Sequence, residues 1–410
     1  MEDRELIPHL FRTEYRKIVS VLCRKFGLAE MEVAEDIASE TFLTATQTWG
    51  VEGTPVNPTA WLYSVARNKA SNLLRRHQLF EEKIRPQLEN EVNATDELEI
   101  DLTEKHVDDS QLQMMFALCH PLVSQEAQVG LCLRILCGFG IEEIADAFLT
   151  SKETINKRLL RARDKLREEN IKVVFPESQE IEHRLERVLT TIYLLFNEGY
   201  YSITKDQILR KDLCLEAIRL CTMLVENKLT DTPPVNALLS LMCFHASRFD
   251  ARFSESGEVI LYNQQDTSLW NADWIAKGGY FLHRAGRGGK ISTYHLEAGI
   301  AYWNTQRDDT PEKWERILEF YDKLLDIKYT PVAALNRTYA LSKAKGNDLA
   351  IPAAEKLNLT DNFFYFSLLG ELYIERDAEM ASRYFEQALS LAKTSTDKNS
   401  IQKRLNTLYN

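Results

Sequence analysis

Apolar residues in this 410-residue chain recur at three- and four-residue spacing almost from end to end, and apolar–polar alternation of the strand kind is scarce. A chain patterned this way supplies amphipathic helices and little from which to build a sheet, so an all-α fold is expected. Residues 6–26 carry Leu6, Ile7, Leu10, Phe11, Ile18, Val19 and Leu22, and residues 31–49 carry Val33, Ile37, Phe42 and Ala45. Gly53, Pro55 and Pro58 then interrupt the pattern, after which Thr59 or the residue before it is placed to cap a helix through WLYSVARNKASNLLRRH.

Composition shifts divide the chain. A length of 410 residues implies two or three domains, and 44 % hydrophobic with 10 % aromatic residues is ample for their cores. Residues 1–79 form a first helical module. Residues 80–110 hold eleven acids against Lys83, Arg85 and Lys105, a net charge of −8 with few apolar residues, which marks a linker that is extended or only locally helical. A second module covers residues 111–170, and after Pro176 a larger helical region covers residues 181–410. Its last part, FFYFSLLGELYIERDAEMASRYFEQALSLAK, resembles a tetratricopeptide helix pair: a glycine in the first helix, a polar turn, then Ala381, Tyr384 and Ala388 in the second. Stacked pairs of this kind build concave docking surfaces.

The most specific local pattern is IEEIADAFLTSKETINKRLLRARDKLR, residues 141–167. It reads as two helices joined by a tight turn, with Thr150 or Ser151 capping the second. In that second helix Ile155, Leu159, Ala162 and Leu166 share one inward stripe. From residue 152 to 167 seven cations face two anions, a net of +5, within a chain whose overall charge is −11. Bulk electrostatics therefore cannot draw this protein to a polyphosphate, and binding must come from local patches. A second such patch has no acid from residue 55 to 80, and there Trp61 and Tyr63 offer stacking faces beside Arg67, Lys69, Arg75 and Arg76.

Other features exclude whole classes of function. There is no apolar run of 18 residues and the N-terminal stretch is charged, so the chain is expected in the cytoplasm. Seven cysteines, an odd number in apolar helical contexts, read as small core residues and not as a disulfide framework or a zinc site. The glycine-rich AGRGGK, residues 285–290, lacks the phosphate-loop pattern and reads as a turn. His245, His283 and His295 lack metal-ligand spacing. We expect no metal, no cofactor and no catalysis by the chain itself.

Three passages in order carry a family resemblance: AEDIASETFLTATQTW at 34–49, TAWLYSVARNKASNLLRR at 59–76, and the helix-turn-helix stretch at 141–167. Split by an acidic linker, they resemble a bacterial RNA polymerase sigma factor of the extracytoplasmic-function type. YLLFNEGY (193–200), QQDTSLWN (264–271) and ALNRTYA (334–340) resemble the subgroup with a long helical C-terminal extension. Two departures stand out: Asn72 where many members carry an acid, and Pro233-Pro234 in place of a Pro-acid step. The resemblance implies a sigma domain-two bundle, a flexible acidic linker, a sigma domain-four helix-turn-helix and a tetratricopeptide-like extension.

It also implies roles. Core RNA polymerase would be held by Glu35, Asp36, Glu40 and Phe42, and the linker would thread into a basic channel of the enzyme. The helix around Trp61 would hold the opened minus-ten strand, the loop before it receiving a flipped base near Asn57, with Arg67, Lys69, Arg75 and Arg76 beside the stacking faces as further DNA-binding residues. In the helix that reads the minus-thirty-five duplex, Lys152, Glu153, Asn156 and Lys157 lie off the apolar stripe near its start and suit base edges, while Arg158, Arg161 and Arg163 suit phosphates. The extension would regulate activity or receive a protein or ligand. Two other readings remain at this point: a free-standing helix-turn-helix regulator that never joins polymerase, and a helical-repeat scaffold with degenerate DNA-binding modules.

Overall fold

In a computed structural model of the chain, residues 3–84, 104–148, 150–201, 207–252, 260, 262–392 and 395–408 are described, and every regular element among them is helical. The all-α expectation holds. Two compact units divide the chain, Met1–Thr230 and Asp231–Asn410, so the division falls at Thr230 and not near residue 181.

The first unit opens with α1 (Asp3–Phe26), α2 (Met31–Glu52) and α3 (Pro58–Ile84). Gly27, at φ 89°, ends α1 and lets the chain reverse into a short 3-10 turn ahead of α2. The Asn57 side chain caps α3, its Oδ1 accepting from Ala60 N at 3.0 Å. That cap lies ahead of the expected Thr59, because Pro58 has no N–H to satisfy and sits naturally at the first helical position.

Next come α4 (Glu104–Leu118), α5 (Gln125–Leu131), a π-helical turn (Cys132–Leu136), α6 (Ile141–Ala147) and α7 (Lys152–Glu168). Helix α4 claims the last residues of the expected linker and buries Val107 and Ser110, because both face the core once the helix forms. Helix α3 runs through the linker's first residues, 80–84, and the remainder, residues 85–103, lies outside the described residues. Ser151 caps α7 through Thr154 N, and the expected stripe of Ile155, Leu159, Ala162 and Leu166 is buried. A hairpin of α8 (Ser178–Tyr201) and α9 (Gln207–Glu226) completes the unit.

Helix α1 explains why these modules form one body. Its run Ile18, Val19, Ser20, Val21, Leu22, Cys23 is at most 5 % exposed, so it is apolar on more than one face and must be covered on more than one side. Helices α2 and α3 cover one side and α4 with the π-helical turn another. Polar links follow the same seams. The buried Gln128 amide donates to the His120 and Val123 carbonyls at 3.0 and 2.9 Å and accepts from Thr191 of α8 at 3.1 Å. Arg184 of α8 donates to the Phe116 carbonyl at 2.8 Å. The carbonyl of Leu136 receives both Arg16 of α1, at 3.3 Å, and Arg219 of α9, at 3.1 Å.

The second unit is a run of helices, each packed on the next: α10 (Pro233–Ala246), α11 (Ala272–Ala285), α12 (Thr293–Trp303), α13 (Pro311–Ile327), α14 (Pro331–Lys345), α15 (Asn347–Glu355), α16 (Phe363–Tyr373), α17 (Ala378–Leu391) and α18 (Ser395–Leu408). Pro233 and Pro234 open α10 behind Thr232, which accounts for that departure as helix-start chemistry. AGRGGK lies at the turn from α11 to α12, as expected. One device recurs between neighbouring helices. Gly278 sits under the Phe244 ring, Gly299 under Phe320 and Gly370 under Phe385; an added methyl would stand 2.6, 2.8 and 2.6 Å from the ring in the three places. Gly370→Ala should therefore push α16 from α17, costing about 1–3 kcal/mol, the usual penalty of overpacking, with a lower urea midpoint as the readout.

All seven cysteines are free and buried. Among the described residues no helix is long and apolar enough to cross a membrane, and no group of three or more His, Cys, Asp or Glu side chains is placed to hold a metal ion.

Candidate nucleic-acid interface and partner groove

Helix α7 turns a charged face outward because its apolar stripe is fully used inside. Lys152, Glu153, Asn156, Lys157 and Arg161 are exposed. Gly130 of α5 lets the helix seat closely, since a methyl there would stand 3.0 Å from the Leu159 side chain. At the helix start the backbone N–H of Glu153 and the Ser151 hydroxyl hold the Glu153 carboxyl below the usual carboxylate range, and the hydrogen bond that Lys152 donates to the Glu142 carboxylate raises Lys152. Both side chains are therefore charged near neutrality, one acceptor-only and one donor-only. Arg158 is half-buried, its guanidinium 5.9 Å from the Phe148 ring centre, which holds its stem in place.

Arg163 departs from expectation. Its guanidinium faces away from the exposed stripe and grips Glu35 of α2 with both terminal nitrogens, at 3.1 and 3.4 Å. The helical turn between Arg161 and Arg163 explains this, because two residues rotate the side chain by more than half a circle.

On α3, Arg67, Arg75 and Arg76 are exposed. Lys69 is half-buried and forms an ion pair with Glu40 at 3.0 Å. Trp61 is half-buried and meets Trp49 edge to face, with ring centres 5.3 Å apart, so it is part wall and part open face. Tyr63 is tied inward, its hydroxyl donating to the buried Glu14 carboxylate at 2.5 Å. Asn57 is exposed, but its carbonyl oxygen is spent on the α3 cap and only its amide N–H groups face outward chemistry.

The α2 residues fall into three environments. Asp36 and Glu40 are exposed, Glu35 is half-buried against Arg163, and Phe42 is only 4 % exposed. Phe42 therefore forms the floor of an open apolar groove lined by Ile7, Pro8, Phe11, Ser39, Leu43 and Thr46. The outward anchors are Phe11 and Leu43, at 42 % and 58 % exposed. Helical period counted Phe11 among the inward residues, and no signal in the sequence separates it from Leu10, which is buried.

The three helices thus carry exposed cations on α3 and an open apolar groove on α1 and α2. Residues 10–80 match the model of sigma-70 region 2, which covers these helices, and residues 184–286 match a family of unknown function (DUF6596), from within α8 to just beyond α11. The region 2 match supports a sigma factor role in transcription initiation, and region 2 implies core RNA polymerase and promoter DNA as partners. An uncharacterized protein of Rhizobium meliloti (strain 1021) is 32 % identical over 387 residues, 92 % of this chain and 90 % of the relative, and the chain belongs to the same family as that protein. No solved structure matches the chain.

Proposed function

We propose that this chain is an extracytoplasmic-function type sigma factor with a regulatory helical extension. The modules at 1–79 and 111–170 would hold the minus-ten and minus-thirty-five elements, and residues 181–410 would modulate activity or receive a partner. The observation that carries the reading is α7: a capped helix with a buried apolar stripe and an exposed N-terminal face of Lys152, Glu153, Asn156 and Lys157. Such a helix can enter a major groove with donors and an acceptor aimed at base edges. Lys152 and Lys157 suit guanine, Asn156 adenine and Glu153 the cytosine amine, while Arg158 and Arg161 lie further along for phosphates.

On α3 the exposed Arg67, Arg75 and Arg76 would track the opened strand, and the free face of Trp61 would stack on a base, a contact worth about 1–3 kcal/mol. Asn57 would act through its amide donors. The polymerase would be held in the α1–α2 groove, with Phe11 and Leu43 as apolar anchors, Phe42 beneath them, and Asp36 and Glu40 on the rim.

Run-off transcription with purified core polymerase tests this reading: start-site selection that depends on this chain supports it, and DNA binding without polymerase association overturns it. Within the duplex interface, Lys157→Ala should relax preference at one base position by about 1–3 kcal/mol. Arg161→Ala should instead weaken binding to all sequences alike and flatten the log–log salt dependence by about 0.9. Affinity titrations at several salt concentrations separate the two effects.

A further inference from the structure

We propose that the second unit has a nucleic-acid surface of its own, in which the outer face of α11 and the turn after it bind the phosphate backbone of duplex DNA. This goes beyond the function proposed above, and its test needs no polymerase. From residue 274 to 296 the chain carries no acid, while Lys277, Arg284, Arg287 and Lys290 bring four positive charges. Arg284 is spent on an ion pair with Asp231. The other three are exposed and form no ion pair among the described residues, whereas Arg316, Arg337, Arg376, Arg383 and Arg404 of the same unit each hold a carboxylate. An unneutralised cationic face of this kind attracts a polyanion.

Local structure fixes where these cations stand. Lys277 lies over the Trp274 ring, 4.9 Å from its centre, and Arg284 over Tyr280 at 5.8 Å, so cation and aromatic alternate along one side of α11. Tyr280 is 59 % exposed and adds a hydroxyl, a group that commonly contacts phosphate. The turn is held at both ends. A methyl on Gly288 would stand 2.5 Å from Pro233, so the turn seats directly on the start of α10. Ser292 N donates to His295 Nδ1 at 3.1 Å, which leaves the Nε2–H to donate to the Ala285 carbonyl at 3.3 Å and close the turn. Arg287 and Lys290 are thus carried on a fixed frame. Lys277 to Ala285 spans about 12 Å of helix axis, and the two turn cations lie beyond it. One DNA strand offers a phosphate about every 3.4 Å along the duplex axis, so the three free cations can each meet a different phosphate. An anionic membrane would need an apolar face to insert, and α11 turns Ile275, Phe281 and Leu282 partly inward.

The test uses the full chain. Because all seven native cysteines are buried, A276C on the exposed side of α11 and S390C at an exposed position of α17 each take a photo-activated crosslinker selectively. With a short duplex of arbitrary sequence at low salt, A276C should crosslink to DNA and S390C should not. Adding K277Q/R287Q/K290Q should abolish the A276C crosslink and flatten the log–log salt dependence of duplex binding by about 2.7, at 0.9 for each of three phosphates. R161A, on α7, should leave the A276C crosslink in place. Thermal melts confirm that each variant is folded. No crosslink at A276C, equal crosslinking at S390C, or a crosslink and salt slope that survive the triple substitution overturns the proposal. Crosslinking of A276C to phosphatidylglycerol vesicles with none to duplex also overturns it, in favour of a membrane surface. If run-off transcription fails while A276C still crosslinks, the function proposed above falls and this surface stands.

Discussion

A chain cut after Glu177 should fail to fold as a stable body, and one cut after Thr230 should melt cooperatively. The first cut removes α8 and α9, and with them Leu185, Val188, Leu189, Ile192 and Leu195 of the core. It also strands the Gln128 side-chain oxygen and the Phe116 carbonyl, whose partners are Thr191 and Arg184. Each buried aliphatic side chain contributes about 1.5–3 kcal/mol, so losing even a few of these contacts rivals the whole stability of a domain. We expect precipitation or a melting temperature lower by at least about 10 °C for residues 1–177. Differential scanning calorimetry of the two truncations decides it: equal melting temperatures would show that the hairpin is dispensable. The cut that tests the extension's effect on transcription is therefore the one after Thr230.

Lys313→Ala should be the most damaging single substitution in the second unit, at about 3–5 kcal/mol. Lys313 is 2 % exposed, and its ammonium donates to the Tyr262 hydroxyl and the Gln306 carbonyl, both at 2.9 Å. The Tyr262 hydroxyl in turn donates to the Asn304 carbonyl at 3.0 Å, and the Tyr262 and Trp314 rings lie 5.4 and 5.5 Å from the charge. Alanine would leave those acceptors buried without a donor and open a cavity against the rings. Lys313→Met keeps the volume but removes the donor and should lose about half as much, because the packing survives. Urea unfolding followed by tryptophan fluorescence reads both; a loss below about 1 kcal/mol for alanine would mean that water replaces the ammonium.

Much of the first unit was legible beforehand. The α7 stripe follows from four apolar residues at helical spacing, and its cap from a serine at the turn, because both depend only on neighbours in the chain. The same holds for the interrupted stretch before α3, where glycine and prolines stop a helix whatever surrounds it. Arg163 is a different case. Sequence placed it among phosphate-facing cations by charge alone, and only the packing of α7 near the first turns of α2 turns it inward. Phe42 and Phe11 exchange their expected roles for a similar reason: helical period says which residues share a face, not which face finds a cover.

The order of amino acids by itself determined that this chain has an all-α fold, where α7 starts, and that positive charge gathers on two helices within an acidic protein. These are short-range properties, set by backbone sterics, capping and spacing. Tertiary structure alone decided that α1 lies between two modules that read as separate, that glycines seat phenylalanine rings between successive helices, and that acids of α2 neutralise cations of α3 and α7. Such choices depend on which surfaces meet across long stretches of chain, where burial of apolar area selects the partner and the charges then pair with whatever that selection brings near.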